Sequence, residues 1–156
     1  MRRAIDVLSA GNWPPTAMVA EVSLAFDARH RRRFKMTDGH GEPFLLDLRR
    51  PTLLNDGDGL LLDGDGIIRV RAADEAVADI RGRTPADTAR LAWHIGNRHT
   101  PVQVLSDGTL RIRDDHVIVG MLEGLGGEII RHRAPFSPEP GAYARAEGGH
   151  GHHHEH

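Results

Sequence analysis

The side chains best suited to chemistry in this 156-residue chain are its 11 histidines, because the chain has no cysteine. Five of them crowd the last seven positions: His150, His152, His153, His154 and His156, in the run GHGHHHEH. Neutral imidazole is a good ligand for Ni(II), Cu(II) and Zn(II), and several on one stretch of chain can converge on one ion. An appended affinity tag would give a similar run. Here Gly151 and Glu155 interrupt it, and the Pro-, Gly- and Ala-containing residues upstream do not look like a vector linker. We read the run as a native metal-binding tail.

A second histidine cluster is HIGNRHTP, from His94 to Pro101. In a continuous helix, residues five apart point ~140° from each other, so His94 and His99 cannot chelate one ion. If Gly96 and Asn97 end the helix, His99 stands alone in the following loop. A single imidazole holds a divalent ion weakly. A two-fold axis beside His99 would pair two copies into a shared, exchangeable two-histidine site. The plainer alternatives are an exposed loop residue for His99 and a packed helix-face residue for His94.

Composition removes several other kinds of chemistry. The absence of cysteine excludes disulfide frameworks, thiolate zinc sites, iron–sulfur clusters and cysteine nucleophiles. Lys+Arg 20 against Asp+Glu 22 leaves a net charge of -2, and aromatics are 4%. Nothing in this balance gathers nucleic acid or anionic lipid, and base-stacking platforms are not expected. Apolar runs of three or four residues fall far short of the ~20 a membrane helix needs. Asp6 and Trp13-Pro14-Pro15 break the pattern an export signal would require, so the cytoplasm is the expected compartment.

The elements that must position these histidines fall into two groups. Strand-like segments at 17–26, 34–37, 42–48, 59–62 and 67–72 are separated by Asp-Gly turns, with no helical period between 17 and 72. They predict a small all-β unit. The pattern then changes to strand 76–80, helix from Thr84-Pro85, strand 101–105, strand 109–113, helix 116–125 and strand 128–132. Thr84 is the expected N-cap with Pro85 at the first helical position, and Gly96-Asn97 are the expected left-handed cap. Asp114 and Asp115 are expected to cap the second helix. The order β-α-β-β-α-β is the split βαβ arrangement of ferredoxin-like domains. The fold class is therefore α+β: an N-terminal β domain at 1–73, a ferredoxin-like domain at 74–134, and a tail at 135–156. The tail has little to bury and is expected to be disordered. A sheet this small buries modest area, which favours a homodimer.

The segment HIGNRHTPVQV resembles the urease accessory nickel chaperones, the urease accessory protein E family. RRRFKMTDGHGEPFLLDL followed by LLNDGD is similar to that family's N-terminal β domain, and the histidine-rich end to the tail many members carry. The resemblance implies a cytoplasmic homodimer that binds Ni(II) as cargo, with Zn(II) and Cu(II) as competitors. It implies delivery to the apo-urease assembly complex together with the urease accessory GTPase, with no role for nucleic acid or membrane. It makes His99 the ligand at the dimer interface. Some relatives carry a peripheral site near 114–116; here only His116 matches, because Asp114 is a harder oxygen donor. The alternative there is two capping carboxylates and a first-turn histidine. His30, His40 and His132 match no motif and are read as surface residues. The basic run RHRRR at 29–33 is a solvated face or, by the resemblance of the N-terminal domain to a chaperone peptide-binding fold, a docking surface.

The function expected from these readings is binding and transfer of nickel, not catalysis. The alternatives are nickel storage through the tail alone, which would leave His99 dispensable, and a metal-dependent hydrolase. The hydrolase needs three fixed ligands and a positioned base, and no His-Glu-x-x-His or comparable cluster is present.

Overall fold

Strand structure begins earlier than the apolar pattern suggests. The computed structural model describes residues 1–141, and its first element is β1 (Arg2–Leu8). Asp6, which interrupts the pattern, sits where the register slips between Ala4 and Asp6, and its carboxylate accepts the Val7 N–H at 2.8 Å. The interruption is a bulge within the strand. The chain divides into two compact units, Met1–Asp74 and the part from Glu75 onward.

The first unit is all β. β1 is followed by β2 (Met18–Leu24), β3 (His30–Thr37), β4 (Pro43–Leu53), β5 (Gly59–Leu62) and β6 (Ile67–Ala72). They form one sheet in the order β2-β6-β5-β1-β4-β3, so the strand missed in the sequence is a central one. Alternation places Phe44, Leu46, Leu60, Ile68 and Val70 in its core, all fully buried. Burying each such side chain contributes roughly 1.5–3 kcal/mol. Turn carboxylates hold the connections. Asp38 accepts the N–H groups of His40 and Glu42 and pairs with Arg2 at 2.7 Å, and the Arg2 guanidinium holds its carboxyl below the usual carboxylate range. Asp58 is buried and accepts the N–H groups of Ala10 and Asn55, at 3.0 and 2.8 Å. Burial pushes the Asp58 pKa up. The basic run ends on β3, an edge strand, where the Arg31 guanidinium lies 4.3 Å from the centre of the Phe34 ring. Cations along an edge discourage pairing with a second copy.

The second unit is α+β. β7 (Asp74–Arg81), α1 (Pro85–Asn97), β8 (Gln103–Val104), β9 (Leu110–Arg113), α2 (His116–Gly124) and β10 (Glu128–Pro135) follow in order. Its sheet runs β10-β7-β9-β8, so each pair of strands joined through a helix is separated by one other strand. Leu91 and Ile95 of α1 and Val119 and Leu122 of α2 pack with Ala78, Ile80, Leu110 and Ile112. Both helices therefore cover one face of the sheet. No helix among the described residues is long and apolar enough to cross a membrane.

The opposite face is crossed by the chain itself. The sequence places the start of a tail with little to bury at residue 135, yet Phe136 is fully buried. Arg111 Nη1 donates to the Pro135 carbonyl at 3.0 Å, and the Arg113 guanidinium lies 5.9 Å from the Phe136 ring centre. Ser137 N–H donates to the Gln103 side chain at 2.9 Å, and Glu139 N–H to the Val102 carbonyl at 2.7 Å. Residues 135–139 thus pass from β10 at one edge of the sheet to β8 at the other.

Candidate metal centre

Helix α1 delivers His99. Thr84 caps it by accepting the Asp87 N–H at 3.1 Å, and Pro85 occupies the first helical position, as the sequence predicts. Leu91 and Ile95, four residues apart, anchor its inner face. Its C-terminus differs from expectation. Gly96 and Asn97 are both helical, Arg98 is the cap, and the left-handed residue is His99, with φ +54°. His99 N–H bonds the Gly96 carbonyl at 3.0 Å, and Thr100 N–H bonds the Ile95 carbonyl at 3.3 Å. These two bonds are the usual left-handed closure of a helix, at whose turning position glycine is strongly favoured. His99 is the only non-glycine residue with positive φ among the described residues. Strain of this kind collects at functional sites. Its imidazole is exposed.

His94, one turn back, is half-buried and meets the Trp93 ring edge to face at 5.0 Å. That contact matches the packed helix-face reading. The downstream side of the His99 loop is held by the crossing segment. Besides the Glu139–Val102 bond, Val104 N–H donates to the Glu139 carboxylate at 3.1 Å.

The second candidate corner is less free than its sequence suggests. Asp115 alone caps α2, accepting the N–H groups of Val117 and Ile118 at 2.9 and 3.0 Å. Asp114 does not cap; its carboxylate pairs with Arg131 at 3.2 Å. His116, the first residue of α2, is exposed. Both carboxylates thus have structural partners, and the His116 imidazole stands exposed beside them.

One polar cluster gives no local signal in the sequence. Asp79 receives a two-pronged bond from Arg111, at 2.8 and 3.0 Å, and meets His132 Nε2 at 2.8 Å. The three residues lie on β7, β9 and β10. Burial works against ionisation of Asp79, but Arg111 and His132 outweigh it and hold the carboxyl below the usual range. His132 is a surface residue, as expected, but one held by a carboxylate. His30 and His40 are exposed. The tail residues His150, His152, His153, His154 and His156 lie outside the described residues.

Among the described residues, no three His, Asp or Glu side chains stand close enough to hold an ion. Within these residues one copy offers single, exposed imidazoles at His99 and at His116.

Comparison with known proteins adds the family. The UreE urease accessory protein N-terminal domain profile matches residues 3–73, and the C-terminal domain profile matches residues 75–156. A urease accessory protein UreE of Rhodopseudomonas palustris (strain HaA2) is 50% identical over 152 residues, covering 97% of this chain and 70% of its own. The namesake from Bradyrhizobium sp. (strain ORS 278) is 48% identical, covering 97% and 71%. That of Chelativorans sp. (strain BNC1) is 49% identical, covering 90% and 94%. Both domains match in order and the relatives align along most of their length, so the chain belongs to the UreE urease accessory protein family, whose members assist an enzyme and are not enzymes themselves.

Proposed function

We propose that this protein is a cytoplasmic nickel chaperone for urease maturation, working as a homodimer. His99 from each copy meets at a two-fold axis and holds one Ni(II), which passes to the apo-urease assembly complex with its accessory GTPase. The observation that carries this reading is the left-handed backbone at His99. A helix end that would be more stable with glycine keeps a histidine, on an exposed loop, at the position the family resemblance assigns to the ligand. A single imidazole per copy suits transfer, since a half-site releases its ion when the acceptor supplies better ligands.

In this reading residues 1–73 serve partner docking, 74–134 dimerise and hold the central ion, and 135–156 gather nickel through His150, His152, His153, His154 and His156. His116 contributes a weaker peripheral ligand. Zn(II) and Cu(II) compete for the same imidazoles, with Cu(II) favoured by intrinsic affinity, so selectivity rests on docking and metal supply.

The test is urease activation in cells grown on limiting nickel. His99→Ala should abolish activation, His116→Ala should leave most of it, and replacing the five tail histidines by Ser should lower it partially. If the tail replacement alone abolishes activation while His99→Ala does not, the protein acts as a nickel store through its tail.

A further inference from the structure

The loop that presents His99 is weakly anchored on its own. After the left-handed turn, Pro101 has no N–H to donate, and β8 contributes only two residues, Gln103 and Val104, to the sheet. The free outer side of β8 is occupied by the end of the crossing segment. Glu139 bonds there twice, through its N–H to the Val102 carbonyl and through its carboxylate to the Val104 N–H. The Gln103 side chain accepts a third bond from Ser137 N–H. Phe136, fully buried, fixes the other end of the segment against the sheet.

We propose that residues 135–139 are a strap that sets the position of His99, and that Glu139 is its positioning residue. The inference rests on the reading of His99 as a nickel ligand. A metal–imidazole bond tolerates about 0.2 Å, so a loop free to drift by an ångström loses affinity even with its imidazole intact. The same strap brings Glu139 beside Val102, which lies three residues after His99, instead of leaving it at the β10 edge.

Nickel binding is measured by competition with a chelator, using the full chain with His150, His152, His153, His154 and His156 replaced by Ser. Amide hydrogen exchange is followed at 99–104. Losing one hydrogen bond should weaken binding about three- to ten-fold. Glu139→Ala should show this loss together with faster exchange at Thr100, Val102 and Val104. Glu139→Gln keeps an oxygen that accepts the Val104 N–H, and should restore both measurements to within about two-fold. Gln103→Ala, which touches no metal, should weaken binding in the same direction.

Unchanged nickel binding in Glu139→Ala would overturn the proposal. So would a Glu139→Gln variant as weak as Glu139→Ala, which would mark the carboxylate as a ligand or a field effect. Weakened binding without faster loop exchange would overturn it as well. If His99→Ala binds nickel normally, the reading of His99 fails instead, and that outcome is read independently of the exchange data.

Discussion

Replacing His99 by glycine should make the metal-free protein more stable while removing its ligand. The backbone at His99 holds φ +54°, where a side chain costs an L-residue about 1–2 kcal/mol. Glycine escapes that cost but gains freedom in the unfolded chain, worth about 0.4–1 kcal/mol in the opposite sense. The net expectation for His99→Gly is about 0.5–1 kcal/mol of added stability. For a unit of 60–100 residues that is a rise of roughly 2–8 °C in the midpoint of the second unit's transition. His99→Ala keeps the strain and removes only an exposed imidazole, so it should stay within about 0.5 kcal/mol of the parent. His99→Asn should fall between Ala and Gly, since Asn tolerates this conformation better than most residues. Thermal unfolding with chelator and then with excess nickel separates the two effects. The metal-free order should be Gly, Asn, then Ala and parent. With nickel the parent should rise and the variants should not, because a ligand stabilises only a state that binds it. A metal-free His99→Gly less stable than His99→Ala would refute the claim that His99 holds a strained position.

Three further perturbations follow from the carboxylates. Asp79 is depressed in the folded state, so its stabilisation is present above the unfolded value of ~3.9 and is lost as pH falls through the folded one. Asp79→Asn should cost about 1–2 kcal/mol at neutral pH and flatten the loss of stability below about pH 4, checked by melts from pH 3 to 7. Asp58 is raised, so its contribution is greatest below ~3.9 and declines as pH rises through its folded value. Asp58→Ala orphans the Ala10 and Asn55 N–H groups and should cost about 2–3 kcal/mol in urea denaturation. Arg131→Ala frees Asp114 beside His116; if the peripheral ligand is His116 alone, nickel stoichiometry should not change in equilibrium dialysis.

What could be read from the sequence was local. Thr84-Pro85 declares the start of α1 because its cap and its fixed φ act within four residues. The strands at 59–62 and 67–72 are legible because turns bracket each of them. β1 was hidden because its bulge places Asp6 inside an apolar run, and only pairing with β4 and β5 makes that run a strand. The cap of α1 was misplaced because Gly96 looks like the natural terminator; the tertiary path to β8 shifts the turn to His99. Asp79, Arg111 and His132 are separated by up to 53 positions, and only the sheet order brings them together. The strap depends on Phe136 finding the helix-free face, which no periodicity in a Pro-rich segment foretells. The proposal of His99 as a ligand rests on the GNRH resemblance, since one loop histidine carries no spacing signal.

The central claim is that one nickel ion is shared between two copies through His99. Its most direct measurement is nickel stoichiometry with molar mass by light scattering, on the chain whose five tail histidines are replaced by Ser. The expected result is a particle of twice the chain mass with one tightly held Ni(II) per two chains, and the same particle with none in His99→Ala. One ion per chain on a monomer, or an ion retained by the His99→Ala dimer, would contradict it.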